Sequence, residues 1–249
     1  MEISLKGKRV IITGGTRGIG RAIALKLAES GASLVINYHR NEEAAEETAA
    51  AIAKVGQAPV LVRGNASEAK FGRELLAKAI EAFGGVDILV NNAGVSHNTP
   101  FLLLEEEEWN DAVNVNINAL FAVTQPVLRH MIDKRIKGRV LNITSVCGVR
   151  PVAAVPVHYA ATKAAIVGFT YTLAKEVGRY NILVNGIAPG LIETAFARNL
   201  PETRHEDFKK FCPLRRIGNP EEVANLATFM VSDLNSYMTG ETVVVSGGL

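Results

Sequence analysis

Short β-branched and aliphatic runs alternate with longer helical patterns along the whole chain: Arg9–Thr13, Leu34–Asn37, Pro59–Val62, Val86–Val90, Arg139–Ile143, Ile182–Asn185 and Thr242–Val245. The runs are apolar almost without a break, so the sheet they form must be covered on both faces. Parallel strands need long crossovers, and the helical segments between the runs supply them. The fold class that follows is α/β, a doubly wound parallel sheet of seven strands flanked by helices. A length of 249 residues suits one such core, and no linker, repeat or composition shift divides it, so residues 1–249 read as a single domain. The helical period fails between Pro189 and Pro220, where Pro201, Pro213 and Gly218 interrupt it. A substrate lid is expected over residues 190–218.

Charge and composition exclude several function classes. Lysine and arginine total 27 against 25 acidic residues, leaving no field that would hold a nucleic-acid backbone or an anionic membrane. Cys147 and Cys212 lie far apart without C-x-x-C spacing, which suggests no disulfide framework and fits a reducing cytoplasm. The polar start Met1–Lys8 is not a signal peptide, and no apolar run is long enough to cross a bilayer. Histidines 39, 97, 130, 158 and 205 show no ligand spacing, so no metal is expected. His97 and His158 flank candidate site motifs, at the mouth of any substrate cleft. Glu105–Glu108 reads as acidic residues complementing a helix N-terminus.

The first run leads directly into Thr13-Gly14-Gly15-Thr16-Arg17-Gly18-Ile19-Gly20 and then into a helical pattern. Glycines at 14, 18 and 20 allow a tight strand-to-helix turn and close backbone approach to a pyrophosphate, which the helix N-terminus receives with unpaired N–H groups. The spacing is G-x-x-x-G-x-G, and its position after a strand and before a helix points to a Rossmann-type dinucleotide site. An acidic residue at the end of the second strand would bind a ribose 2′-hydroxyl and repel a 2′-phosphate. Tyr38-His39-Arg40 stands there instead, and with Arg17 in the turn this favours NADP(H).

Tyr159 and Lys163 are one helical turn apart and project from one face. A phenol has a pKa near 10, and a neighbouring ammonium is expected to lower it. Ser145, just after the fifth run, is positioned to hydrogen-bond a carbonyl oxygen. Asn91-Asn92-Ala93-Gly94 follows the fourth run, and Asn92 can also hold its own turn by side-chain hydrogen bonds.

In register with the glycine turn and Pro189-Gly190, these motifs resemble the short-chain dehydrogenase/reductase superfamily, over essentially the whole chain. The resemblance implies Tyr159 as proton donor, Ser145 as orienting hydroxyl, Lys163 as the supporting charge, and Asn116, chosen over Asn114 and Asn118, as holder of a proton-relay water. It implies cofactor contacts at Asn65, Ala66, Asn92, Ala93, Gly94, Pro189, Gly190, Ile192 and Thr194, beside Gly14, Thr16, Arg17, Gly18, Ile19, Gly20, Tyr38, His39, Arg40, Tyr159 and Lys163. Glu108–Asp111, Gly190–Thr194 and Pro213–Ala224 are most similar to the 3-oxoacyl-[acyl-carrier-protein] reductases, which implies a homotetramer acting on carrier-bound thioesters. The basic stretch Arg129–Arg139 would then dock an acyl carrier protein, with Arg179 extending it. Departures from that group are a longer Ser145–Tyr159 spacer, Arg150-Pro151, and Ser246 where aspartate is typical. They bear on substrate and not on chemistry, and leave open a polyketide ketoreductase and a reductase of free ketones, sugars or other secondary alcohols; the alternative from a different class is a non-catalytic NADP-binding protein.

Overall fold

Residues 3–152, 155–198 and 202–249 are described by the structure, a computed structural model. The seven apolar runs form one sheet: β1 (Arg9–Thr13), β2 (Ser33–Tyr38), β3 (Val60–Arg63), β4 (Ile88–Asn91), β5 (Arg139–Ile143), β6 (Leu183–Pro189) and β7 (Thr242–Val245). Every pair is parallel, in the order β3-β2-β1-β4-β5-β6-β7. The chain winds outward from β1 to β3, then returns to lay β4 on the other side of β1. The crevice at that reversal, outside the carboxyl ends of the strands, is where such sheets bind ligands.

Successive side chains of a strand point to opposite faces, which explains the unbroken apolar runs. Val10 and Ile12 pack with Ile23 and Leu27 of α1 (Gly18–Glu29) and Val223 and Ala227 of α9 (Pro220–Val231). Ile11 and Leu89 pack on the other face with Leu75 of α3 (Ala69–Phe83), Val123 and Val127 of α5 (Ala119–Asp133), and Ala174 and Val177 of α6 (Val157–Val177). Each large aliphatic side chain buried completely in these layers contributes roughly 1.5–3 kcal/mol. At Gly72, a Cβ would lie 2.0 Å from the Ala122 carbonyl oxygen, so glycine lets α3 and α5 approach closely.

Local chemistry sets the helix ends. Asn41 caps α2 (Glu42–Ala53) by accepting from the Ala44 N–H, and Asn219 with Glu222 closes a capping box around Pro220 at the start of α9. Glu106, Glu107 and Glu108 occupy the first turn of α4 (Glu106–Val113), as the acidic run predicts. α4 passes into a π-helical turn, Asn114–Asn118, before α5 begins.

Two expectations change. β6 continues to Pro189, beyond the Ile182–Asn185 expected, because Gly186–Pro189 pairs with Thr242–Val245 despite its glycine and proline. The stretch expected to be irregular carries α7 (Ala195–Arg198) and α8 (Glu202–Phe211), while Pro201 lies outside the described residues. Its neck is closed by the Ile192–Gly218 bridge and by the Glu193 N–H on the Gly218 carbonyl at 2.8 Å. Among the described residues, no helix is long and apolar enough to cross a membrane.

Candidate active site

The glycine turn leaves β1 at the switch point. Gly14 and Gly18 have φ of +62° and +54°, left-handed values that favour glycine. A Cβ on Gly20 would lie 2.4 Å from both the Gly14 carbonyl oxygen and the Asn92 amide nitrogen. Asn92 spends its Nδ2 on the carbonyls of Thr13 and Gly14 at 3.0 and 2.8 Å, so its side chain clamps the turn. Thr13 Oγ1 accepts the N–H groups of Asn92 and Ala93. Thr16 is buried, with its carbonyl taken by Thr48 Oγ1, and Ile19 packs against the core.

No side chain caps the first turn of α1, where Arg17 is the N-cap. Its leading N–H groups therefore remain available to an anion. Gly18 faces Thr194, whose Cγ2 would be 3.2 Å from an added Cβ, so the turn and the segment after β6 oppose each other across the crevice. Uncapped N–H groups and a cradle of glycine backbone fit a dinucleotide. Arg17, His39 and Arg40 are exposed around the ends of β1 and β2, where Thr13 and Asn37 are in register. Tyr38 is buried, and the Asn37 amide is consumed by the carbonyls of Tyr38, Val62 and Gly64. Asn65 Oδ1 is occupied by the N–H and hydroxyl of Ser67, leaving its NH2 to meet a base; the adjacent Ala66 is buried.

The second half of the site lies at the ends of β4, β5 and β6. Ser145 follows β5, with its Oγ accepting the Cys147 thiol at 3.2 Å and hydrogen-bonding the Tyr159 hydroxyl. Burial pushes the Tyr159 phenol well above its ordinary value of 10, against the opposing effect of Ser145. Lys163, on the same face of α6, is buried and donates to the Ile143 carbonyl at 3.0 Å, with Nζ 5.6 Å from the Tyr159 ring. Burial lowers its ammonium to about 8. The expected lowering of the tyrosine by the lysine is thus overturned: exclusion of water disfavours the charged form of both groups. Burial therefore favours the neutral phenol at Tyr159.

Asn116 is the asparagine of its run that faces the site. It is buried in the π turn, accepts the Val95 N–H at 2.8 Å, and donates to the Val95 carbonyl and Thr162 Oγ1. Asn114 and Asn118 are exposed and bond to each other. A Cβ on Gly94 would lie 3.3 Å from both Asn116 Oδ1 and Lys163 Nζ, so those side chains converge on the Ala93-Gly94 backbone. Pro189 ends β6, and the Gly190 N–H bonds the Val245 carbonyl. The Ile192 side chain packs into the core, and Thr194 Oγ1 bonds the Ile192 carbonyl at 3.3 Å.

A buried polar ladder escaped the sequence reading: Asn91 Nδ2 donates to Thr124 and Asn142, and Asn142 Nδ2 to Thr170. Its signal was asparagine inside otherwise apolar strands. Cys147 and Thr162 were also missed, having no motif of their own. A cavity of about 310 Å³ lies beside the 190–218 segment, lined by Arg150, Ile192, Leu214, Arg216 and Ser246 and not by Tyr159. Arg150 and Ser246, both departures from the sequence pattern, meet there on the main-chain oxygen of Leu249. Arg139 does not belong to the basic patch, because it turns inward onto the carbonyls of Gly138 and Asn235. Arg129, Lys134, Arg135 and Lys137 remain exposed. Among the described residues no cluster of histidine, cysteine and carboxylate groups has metal-binding geometry.

A doubly wound parallel sheet with a glycine turn and a Ser–Tyr–Lys site at its switch point defines a class of nicotinamide-dependent oxidoreductases acting on CH–OH and C=O groups. The chain belongs to that class, the short-chain dehydrogenase/reductase family. A family model described as enoyl-(acyl carrier protein) reductase matches residues 14–249. The chain is 42% identical to the 3-oxoacyl-[acyl-carrier-protein] reductase FabG of Aquifex aeolicus, covering 100% of both chains. It is 38% identical to that of Thermotoga maritima, covering 98% of each. A short-chain type dehydrogenase/reductase from Mycobacterium marinum superposes with a TM-score of 0.94 at 33% identity, over 98% of this chain and 96% of the other. One from Serratia marcescens superposes at 0.92 with 31% identity, covering 98% of each.

Proposed function

We propose that this chain is an NADPH-dependent reductase of 3-oxoacyl thioesters borne on an acyl carrier protein, yielding 3-hydroxyacyl thioesters in fatty-acid or polyketide biosynthesis. The observation that carries this reading is the Tyr159 hydroxyl, protonated and bonded to the Ser145 hydroxyl beside the dinucleotide crevice. The likeness to the Aquifex reductase, at 42% identity, supports the substrate class. A reduced nicotinamide, when bound, supplies hydride. Ser145 orients the carbonyl oxygen, Tyr159 hands its proton to the oxygen as negative charge develops there, and Lys163 holds the charge that eases this transfer. Asn116 holds the Ala93–Val95 backbone in place for both and keeps the relay water near Lys163. Two hydroxyl donors aimed at one oxygen favour reduction of C=O over C=C, which separates this reading from the activity named in the family model's description.

Arg17 and Arg40, with no carboxylate at the end of β2, support NADP(H) over NAD(H). The cations Arg129, Lys134, Arg135 and Lys137 are the proposed carrier-docking surface. They sit near the start of β5, about 20 Å along the strand direction from Ser145, a span for a flexible arm. Exposed Phe101, Leu102, Leu103, Trp109 and Phe121 on neighbouring elements support a homotetramer. Residues 190–218 are the proposed substrate lid of this single domain, and free Cys147 and Cys212 fit a cytoplasmic location.

The test is cofactor oxidation with a short 3-oxoacyl thioester, NADH and an enoyl thioester serving as controls. Turnover with NADPH and the 3-oxo compound is expected. Preference for the enoyl thioester overturns the reaction, and equal rates with NADH overturn the cofactor. Activity confined to a free ketone would instead favour the alternative left open by Arg150 and Ser246, and NADPH binding without turnover on any carbonyl compound would leave a non-catalytic binder. Charge reversal at Arg129, Lys134 and Arg135 should impair reduction of carrier-bound substrate and spare small thioesters; equal effects on both overturn the docking surface.

A further inference from the structure

His158 stands directly before Tyr159 and is 1% exposed. Its Nε2 accepts the main-chain N–H of His97 at 3.4 Å, so that nitrogen carries no proton. The neutral ring then bears its hydrogen on Nδ1, which has no hydrogen-bond partner among the described residues. Two residues before His97, Val95 is gripped at both its N–H and its carbonyl by Asn116, which also donates to Thr162 Oγ1. Thr162 in turn donates to the Tyr159 carbonyl. These bonds close a ring that runs from α6 through residues 95–97 and the π turn and back to α6.

We propose that neutral His158 is a positioning residue that pins the Val95–His97 segment to α6, and that its protonation releases the His97 end and loosens the substrate-side rim next to Tyr159. Protonation would set an N–H of the ring against the N–H of His97, turning the bond into a repulsion. The groups that act on His158 are His97, with ring centroids 6.0 Å apart, and Glu108 on α4. His97 is itself held by Asp111 at 2.8 Å, with Glu108 at 3.8 Å from its other nitrogen. The two carboxylates therefore serve His97 first. Burial, then the His97 ring, holds the His158 imidazole below its ordinary value of 6.5, while Glu108 and, after it, the His97 backbone pull the other way. Val95 stays bound to Asn116 throughout, so release is confined to the rim and spares the proton donor.

The consequence for turnover rests on the carbonyl-reductase reading above; the latch itself does not. On the full chain labelled with nitrogen-15, long-range proton–nitrogen correlation spectra between about pH 8 and about pH 5 report the His158 tautomer. Amide exchange reports the His97 N–H over the same range. The expected result is an Nδ1–H tautomer, and about tenfold faster exchange of the His97 amide once His158 is protonated. His158→Asn offers an oxygen acceptor that does not titrate and should keep the amide protected at every pH, whereas His158→Leu should lose protection throughout. With thioester, His158→Leu should raise KM about tenfold at neutral pH with little change in kcat, and His158→Asn should restore it and flatten the pH profile of KM. An Nε2–H tautomer, or a His97 amide indifferent to pH and to both substitutions, overturns the proposal. If His158→Leu does not fold, the wild-type titration and His158→Asn still decide. A wild type inactive on every thioester would overturn the reductase reading while leaving the spectra to judge the latch.

Discussion

The glycine turn after β1 and the tyrosine site after β5 both lie against the Ala93-Gly94 backbone, yet they are held by different forces. The turn is contiguous, residues 13–20, and its shape comes from backbone angles that glycine adopts and from space that a side chain would fill. Asn92 clamps the carbonyls of Thr13 and Gly14, and Thr48 holds that of Thr16. The tyrosine site is assembled from separate pieces: the Gly94–His97 segment, the π turn, the end of β5 and the first turns of α6. Buried hydrogen bonds among Asn91, Asn116, Asn142, Thr162, Thr170 and Lys163 hold those pieces together. A turn of this kind fails by steric clash. A buried polar network fails when any member loses its partner, because each remaining group is left unsatisfied in a water-poor interior.

That contrast makes predictions of graded size. Tyr159→Phe removes the proton donor and should lower kcat/KM on the 3-oxoacyl thioester about 10²–10⁴-fold while Tm stays close to wild type. A large fall in Tm would show that the hydroxyl serves the network more than the chemistry. Next is Lys163. Its ammonium falls from 10.5 in the unfolded chain to about 8 in the fold, so the unfolded chain binds more protons between those values, and this group's contribution to stability rises with pH across that window. Chemical denaturation should show the wild type gaining about 2–3 kcal/mol relative to Lys163→Met between pH 8 and pH 10. A constant difference would place the lysine in a more hydrated setting. Gly20→Ala should destabilise by about 1–3 kcal/mol and weaken NADPH binding, because the new methyl meets Asn92 and the Gly14 carbonyl. Asn142→Leu should cost about 1–3 kcal/mol by removing one buried partner each from Asn91 and Thr170, with cofactor affinity unchanged. If Gly20→Ala lost only activity and Asn142→Leu lost only cofactor binding, the division between clash and network would collapse. The smallest effect belongs to Arg150→Ala, which removes one exposed contact to Leu249 and should change stability by about 1 kcal/mol or less in thermal denaturation.

Legibility followed the same division. The strands, the turn and the Tyr159–Lys163 spacing could be read directly, since short β-branched apolar runs, glycine dihedrals and the helical period are local properties. Ser145 was legible from its place after a strand. The choice of Asn116 among three asparagines came from a resemblance. The physical basis of that choice is the π turn, which buries Asn116 against Val95 and leaves its neighbours in solvent.

The sequence by itself determined the parallel sheet, its switch point and the residue types placed there. The tertiary structure alone decided that β6 runs on to Pro189, that Arg139 leaves the basic patch, and that Arg150 and Ser246 meet at Leu249. It also set the directions in which burial moves the Tyr159 and Lys163 pKa values. The reason is common to all of them: which groups lose water together, and which partners they then find, depends on segments far apart in the chain, and the short-range periodicities that set each strand and helix carry no record of those encounters.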